Sequence, residues 1–308
     1  MEFGLVLTQF TAKWEHVVAD AKLAETHGLD SIWLVDHLQG IADPAAPLHE
    51  AWTGLAYLAG VTERVRLGHL VNCVAFRNVG LLAKMAVTLD HASQGRLDLG
   101  LGAGWYEGEY RAFGYPYGDG GERRRVFEAT VEALVELFDG GPVDFDRNGV
   151  KLDGAMLNPL PFQQPRPPLV VGAGRRRMLE AAGRLADVWN CPASLLDRLE
   201  EPQAIVQRAA GARTVRTTIQ VPVAVGRDAT EAQAARAVGA SHLAWMGDLD
   251  AVGIVGDLDA AEACVRSYAD RGVSGIVGVV PGSRQRPEFI AAFGQLAQRF
   301  SSPAPTSG

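Results

Sequence analysis

The sequence predicts an α/β protein, an eight-stranded (β/α)8 barrel of the TIM type with insertions after the fourth and seventh strands. Short apolar runs alternate with amphipathic segments along the chain, which is typical of parallel βαβ units. Eight such cycles can be counted from one end to the other. Nearly continuous apolar runs at 32–35 and 276–280 fit strands that are covered on both faces, as barrel strands are.

The first four strand and helix pairs are predicted from apolar runs and from helical spacing of apolar residues. The first helix illustrates the spacing, because its apolar residues recur on one face until Gly28 ends it. In this half of the chain the predicted strands are 3–8, 32–35, 65–71 and 96–101, and the predicted helices are 14–27, 50–60, 81–91 and 121–138.

The second half repeats the pattern around two insertions. The stretch 143–168 is rich in Pro, Gly and Asp, which forbids a regular helix, and 228–247 is a polar, Ala-rich insertion after a strongly β-branched strand. The predicted strands are 169–171, 187–190, 217–225 and 276–280, and the predicted helices are 178–185, 195–210, 257–271 and 288–300. The alternative is an open doubly wound sheet, which usually has a Gly-rich turn after its first strand. The residues at 8–11, Thr-Gln-Phe-Thr, offer no such turn.

Composition agrees with one large folded domain. The chain has 308 residues, of which 47% are hydrophobic and 21% charged, and a net charge of -7. Barrels of this kind routinely exceed 250 residues as one domain. We therefore expect a single domain over 1–300 and a disordered tail over 301–308.

The same numbers exclude several classes of protein. The acidic balance and the short basic runs, 123–125 and 175–177, argue against a nucleic-acid partner. The start of the chain has no secretory pattern and no apolar run is long enough for a membrane, so we expect a cytoplasmic protein. Cys73, Cys191 and Cys264 are far apart and are expected to be reduced thiols, and the scattered histidines predict no metal site.

Active sites of such barrels lie at the carboxyl ends of the strands, where Asp36 and His37 follow the second strand. Histidine titrates near neutrality and could move a proton during hydride transfer, so His37 is the candidate catalytic residue. The alternative is a loop histidine that is only hydrogen-bonded by Asp36. Asn72 and Cys73 end the third strand, and we interpret Cys73 as part of the wall because no basic neighbour would activate its thiol.

Glycines alternate in the fourth strand, at positions 100, 102 and 104, and therefore share one face. A flat ring system could lie against this bare backbone, which makes Gly102, Ala103, Gly104 and Trp105 candidate cofactor-binding residues. The alternative interpretation is tight packing or a bulge at the barrel mouth.

A second glycine turn follows the fifth strand as Gly172-Ala173-Gly174-Arg175-Arg176, with Arg177 after it. Backbone N–H groups at such a turn and at the start of a helix can bind phosphate, and the arginines add charged donors. Cations are disfavoured at a helix start unless an anion compensates them. A solvated arginine run is the alternative.

These residues resemble the luciferase-like oxidoreductase family, particularly its branch that uses the deazaflavin coenzyme F420. The resemblance spans almost the whole chain. It is densest at 64–68 (RVRLG), 76–78 (FRN), 82–90 (LAKMAVTLD), 93–96 (SQGR) and 100–105 (GLGAGW).

The resemblance implies a ring system at the barrel mouth with His37 near it. Behind the ring it implies a strand-three bulge at Asn72, Cys73 and Val74, where the family often has a non-proline cis peptide. It maps the phosphate-binding loop onto 172–177, although this chain has Gly-Ala-Gly-Arg where Gly-Gly-x-Gly is commoner. It also implies a variable insertion after strand seven that acts as a lid, and a homodimer.

The leading functional hypothesis is hydride transfer between coenzyme F420 and a small-molecule organic substrate, with Asp36 beside the catalytic His37 at the cofactor. One alternative is an FMN-dependent monooxygenase that uses O2. A second is a flavin-binding protein without catalytic activity.

Overall fold

Eight parallel strands close into a barrel in this computed structural model, which describes residues 1–7, 9–281 and 286–301. The strands of the fold are β1 (Glu2–Val6), β2 (Ser31–Leu34), β3 (Arg66–His69), β4 (Asn72–Cys73), β5 (Leu97–Gly102), β6 (Pro142–Arg147), β7 (Val150–Met156), β8 (Leu169–Gly172), β9 (Val188–Cys191), β10 (Arg216–Val225), β11 (Ile254–Gly256) and β12 (Val273–Val279). The barrel order is β1-β2-β3-β5-β8-β9-β10-β12, and β12 pairs with β1 to close it.

Helices follow the barrel strands and cover their outer faces. They are α1 (Trp14–Thr26), α2 (Ala51–Val61), α3 (Val79–Ala92), α4 (Glu107–Ala112), α5 (Gly120–Asp139), α6 (Arg176–Leu185), α7 (Glu200–Ala210), α8 (Ala229–His242), α9 (Leu249–Val252), α10 (Leu258–Asp270) and α11 (Pro287–Gln298). The (β/α)8 barrel predicted from the alternation of apolar runs is confirmed.

The two insertions contain more regular structure than their composition indicates. Strands β6 and β7 form an antiparallel hairpin within the first, where only irregular chain was expected. The second contains α8, capped by Asp228, and leads to β11, which pairs with the end of β10. Of the predicted tail, 302–308 lie outside the described residues.

The third strand ends two residues earlier than predicted. Regular pairing of β3 stops at His69, the Leu70–Val71 peptide is cis, and the chain then bulges before β4 pairs with β5. The expected non-proline cis peptide is therefore present, but it precedes Asn72 instead of lying within Asn72–Val74.

Trp33 and its neighbours fill the barrel interior toward the amino-terminal ends of the strands. Trp33 is 5% exposed and belongs to a small apolar cluster inside the barrel, separate from the core between strands and helices. Gly4 and Gly68 on the adjacent strands make room for it, because a Cβ atom at Gly68 would overlap the indole ring. A cavity of about 410 Å³ at the amino-terminal end of the barrel lies against the same indole. Trp33 thus separates this cavity from the opposite end.

Candidate active site

The four predicted site segments lie side by side at the carboxyl ends of neighbouring strands. They follow β2, β3, β5 and β8, which are consecutive in the barrel. Carboxyl ends of parallel strands share one rim of a barrel, so the segments form one side of the mouth.

His37 is held by a buried carboxylate from α4. Its Nδ1 lies 2.9 and 3.1 Å from Oε1 and Oε2 of Glu109, which is 2% exposed and also accepts a hydrogen bond from the Leu38 N–H at 3.0 Å. An ionised carboxylate only accepts, so this contact assigns the proton to Nδ1. No described residue hydrogen-bonds Nε2, which leaves that nitrogen to meet a ligand.

The interpretation of His37 as a loop residue held by Asp36 is wrong, because Asp36 faces the other way. Its carboxylate accepts two hydrogen bonds from Arg77, at 2.7 and 2.9 Å, and one from the Cys73 N–H at 2.8 Å. Asp36 is 3% exposed and these contacts occupy both oxygens inside the protein. The residue predicted to bind cofactor therefore ties the end of β2 to the strand-three bulge.

Arg77 joins this ion pair to the surface. It also contacts Glu50 at 2.8 Å and the side-chain oxygen of Asn72 at 3.1 Å. Burial alone would lower the pKa of Arg77, but hydrogen bonds and charge from Asp36 and Glu50 raise it above its ordinary value. Burial raises the pKa of the Asp36 carboxyl in spite of its donors Arg77 and Cys73, so the bulge is fixed by a buried, hydrogen-bonded ion pair.

Asn72, Cys73 and Val74 are buried within or beside the bulge. The side-chain Oδ1 of Asn72 accepts a hydrogen bond from the Trp52 indole at 2.7 Å. The Cys73 thiol lies 3.0 Å from the Tyr110 hydroxyl, and burial raises the pKa of Cys73 to about 11. Such a thiol stays protonated at neutral pH, which agrees with the interpretation of Cys73 as a packing residue in the wall of the site instead of a reactive group.

The glycine stripe of β5 is not an open wall. A Cβ atom at Gly100 would overlap the carbonyl oxygen of His69, and one at Gly102 would overlap the Val71 side chain. The glycines therefore make room for the strand-three bulge, as the alternative interpretation of the pattern proposed. Half-buried Val71, and not bare backbone, is what this part of the wall presents.

The end of β5 turns outward to the mouth. Gly104 adopts a positive φ of 73°, which favours glycine, and a side chain there would overlap the Tyr110 hydroxyl. The Tyr110 hydroxyl also donates to the half-buried Ala103 carbonyl at 3.3 Å. Trp105 comes next and is 60% exposed, with its ring centroid 5.9 Å from that of His37 in an edge-to-face arrangement.

The arginine-flanked turn after β8 leads directly into α6. The Ala173 carbonyl accepts from the Trp189 indole at 2.9 Å, which anchors the turn, while Gly174 to Arg177 are exposed. Helix α6 begins at Arg176 without a side-chain cap. Arg176 pairs with Glu180 at 3.2 Å, and no ion pair of Arg175 occurs among the described residues. Free N–H groups and cations are thus together at this rim.

Two site residues escaped the sequence analysis. Glu109 is one, because its partner lies 72 positions away and an acidic residue in a helical turn is ordinarily solvated. Gln220 is the other: it is half-buried on β10 beside Val277, and its side chain has no hydrogen-bond partner among the described residues. Strand alternation places it on the same interior face as Thr218, which lines the cavity below. An amide in that interior is available to a ligand.

The burial of His69 at the end of β3 predicts that acid lowers the free energy of unfolding of the protein. It is fully buried against Trp52, with ring centroids 4.3 Å apart, and neither ring nitrogen has a hydrogen-bond partner among the described residues. Burial lowers the pKa of His69 to about 3, whereas an unfolded histidine binds a proton near pH 6.5. The unfolded state therefore gains a proton first. As the pH is lowered from about 6.5 to about 3, the free energy of unfolding should fall by about 1 kcal/mol per pH unit.

Urea unfolding at pH 7, 6, 5 and 4 measures this effect. His69→Gln removes the titrating group, so its free energy of unfolding should decline less steeply with acid than that of the parent, whatever its absolute value. Equal slopes in the two proteins would show that His69 does not cause the acid sensitivity.

Two further classes of site were sought in the described part of the chain. No group of three or more His, Cys, Asp or Glu side chains is arranged there to hold a metal ion. None of its helices combines the length and apolar character needed to cross a membrane.

Comparison with known proteins identifies the family to which the chain belongs. Residues 1–273 match the luciferase-like monooxygenase family. A phthiodiolone/phenolphthiodiolone dimycocerosates ketoreductase of Mycobacterium tuberculosis is 33% identical over 184 residues, which are 54% of this chain and 48% of that protein. The chain thus matches about half the length of this relative.

Solved structures share the whole fold. The coenzyme F420-dependent tetrahydromethanopterin reductase from Methanopyrus kandleri superposes with a TM-score of 0.76 at 20% identity, covering 94% of this chain and 97% of that one. The oxygenating constituent of 3,6-diketocamphane monooxygenase from Pseudomonas putida, in complex with FMN, gives 0.79 at 16% identity and covers 97% of each chain. At these identities the likeness is one of fold. With the family match over most of its length, the chain belongs to the luciferase-like family of oxidoreductases and monooxygenases.

Proposed function

We propose that the protein transfers a hydride between coenzyme F420 and a small organic carbonyl or alcohol, and that His37 moves the accompanying proton. The observation that carries the proposal is the His37–Glu109 contact at 2.9 Å. It orients the imidazole and leaves Nε2 as the nitrogen able to exchange a proton with a substrate oxygen. The similarity to a mycobacterial ketoreductase and to an F420-dependent reductase supports this reaction class.

The residues at the mouth fit a flat, phosphate-bearing cofactor. Half-buried apolar side chains line the interior there, and Gln220 adds an amide that no other described residue hydrogen-bonds. The exposed start of α6 offers N–H groups and two arginines to a phosphate. When bound, F420 would supply or accept the hydride. The rigid Val71 bulge would support the ring, and the α6 turn would hold the phosphate.

The alternative cofactor is reduced FMN with O2, which would make the protein a monooxygenase. The FMN-containing monooxygenase of the same fold favours it. Fluorescence titration of the apo protein with F420 and with FMN distinguishes the two, and oxygen consumption with FMN tests the second chemistry. Tight binding of FMN with oxygen uptake and no binding of F420 would overturn our proposal. Binding of either cofactor with no turnover of any carbonyl or alcohol would favour a flavin-binding protein.

Arg175→Ala and Arg176→Ala should each weaken cofactor binding about tenfold or more, because a hydrogen bond to a charged group contributes roughly 1.5–3 kcal/mol. The dissociation constant from the same fluorescence titration measures the loss. Arg208→Ala is the matched control, since Arg208 is an exposed arginine on α7. Unchanged affinity in both α6 variants would refute the assignment of the phosphate to this turn.

A further inference from the structure

An exposed aromatic group adjoins the proposed proton-transfer residue. The Trp105 ring lies 5.9 Å from His37 and 5.6 Å from Tyr106, and the Tyr106 ring lies 6.5 Å from His37. We call Trp105 and Tyr106 the aromatic wall. Trp105 is 60% exposed, which is unusual for an indole, while Tyr106 is half-buried.

The backbone of the wall is fixed although its faces are open. The Tyr117 hydroxyl donates to the Trp105 carbonyl at 2.8 Å, and Gly104 before it occupies a left-handed conformation that few other residues adopt. The Gln39 amide donates to the Tyr106 hydroxyl at 3.4 Å. An apolar surface held in place beside a reactive group is typical of a ligand contact.

The charged side chains described near the wall each have a partner, although not always an opposite charge. Glu109 is bound to His37, and the guanidinium of Arg111 is bound to Glu107 on the same helix. Arg123 donates to the Gly118 carbonyl at 2.6 Å and lies over the Tyr117 ring. Arg175, which has no ion pair with any described residue, lies instead after β8, beyond β5 in the barrel order from β2. Ionic recognition and aromatic surface are therefore on different segments of the rim.

We infer that the aromatic wall binds the body of the substrate, and that the substrate is an uncharged ketone or secondary alcohol with an aromatic or large apolar group beside the reacting carbon. This inference rests on the proposed function. It moves Trp105 from the cofactor, where the glycine stripe first assigned it, to the substrate. The arginines of the α6 turn then serve the cofactor. Among the described residues, Arg111 near the wall is held by Glu107, and Arg123 is held by the Gly118 carbonyl and the Tyr117 ring.

Steady-state kinetics with acetone, acetophenone and 4-acetylbenzoate test the inference in the cofactor-loaded protein. Acetophenone should have a kcat/KM at least tenfold above that of acetone and of the carboxylated analogue. Trp105→Ala should reduce the preference for acetophenone over acetone at least tenfold, mainly through KM, and Trp105→Phe should restore most of it. Phe162→Ala removes a comparably exposed aromatic residue beside His91, at the other end of the barrel, and should not alter the preference.

Binding is also measured without turnover, by saturation-transfer NMR of acetophenone and 4-acetylbenzoate with the apo protein. A signal from acetophenone that Trp105→Ala abolishes supports the wall even if neither cofactor binds, in which case only the proposed function fails. Equal signals from both ketones, or a preference unaltered in Trp105→Ala while turnover persists, would overturn the inference and leave the proposed function standing.

Discussion

His37→Ala is expected to lower kcat by about 100- to 10,000-fold, the range that a positioned general acid or base contributes. The imidazole is the proposed proton-exchanging group at the end of β2, and its Nε2 is free of protein partners among the described residues. Cofactor affinity should change little, because the proposed phosphate and ring contacts come from other segments. Single-turnover and steady-state rates at saturating cofactor measure the loss.

Glu109→Gln separates positioning from proton transfer. An amide can present either a donor or an acceptor to Nδ1, so it no longer fixes the tautomer of His37. We expect a loss of kcat smaller than that of His37→Ala and an altered pH profile. His91→Ala, which changes an exposed histidine at the end of α3, is the control. If His37→Ala retained the parent kcat, the proposed role of the imidazole would be wrong.

Asp36→Ala should have the largest effect on stability, lowering the free energy of unfolding by about 3–5 kcal/mol. It removes one partner of a buried ion pair and takes away the two Asp36 oxygens at 2.7 and 2.9 Å, so that Arg77 keeps the partly exposed Glu50 at 2.8 Å and the Asn72 side chain at 3.1 Å. It also frees the Cys73 N–H, which holds the bulge. Urea unfolding monitored by tryptophan fluorescence measures the change.

Two controls show whether the loss of the buried partner of Arg77 causes the destabilisation. In Asp36→Ala/Arg77→Met the buried charge is absent, so part of the stability should return. Asp250→Ala breaks an exposed pair with Arg236 and should shift the unfolding midpoint far less. An unfolding midpoint of Asp36→Ala equal to the parent's would mean that the pair does not stabilise the fold.

The barrel could be predicted because the spacing of apolar residues in its strands and helices is a local property of the sequence. Apolar runs such as 32–35 and the face of α1 are set by neighbours a few residues apart, and the order of elements then fixes the architecture. The hairpin of β6 and β7 was missed because the Pro and Gly content of 143–168 favours irregular chain, although Asn148-Gly149 between the two strands is a hairpin turn signal.

The site could be located at the strand ends but not resolved into contacts. Glycines at alternate positions of β5 are equally compatible with an open wall and with a packed bulge, and only the path of the neighbouring strand decides between them. Likewise the partner of His37 is Glu109 and not the adjacent Asp36, because both side chains are oriented by elements distant in sequence. Such pairings are properties of the tertiary structure.

The position of Trp33 has a consequence for the order in which ligands enter and leave. The indole and its apolar neighbours obstruct the axis of the barrel, so nothing that enters from the rim can pass through to the opposite end. Two ligands that both enter at the rim would therefore have to bind in sequence. The one that lies deeper has to arrive first, and the one nearer the solvent has to depart before the other can be exchanged.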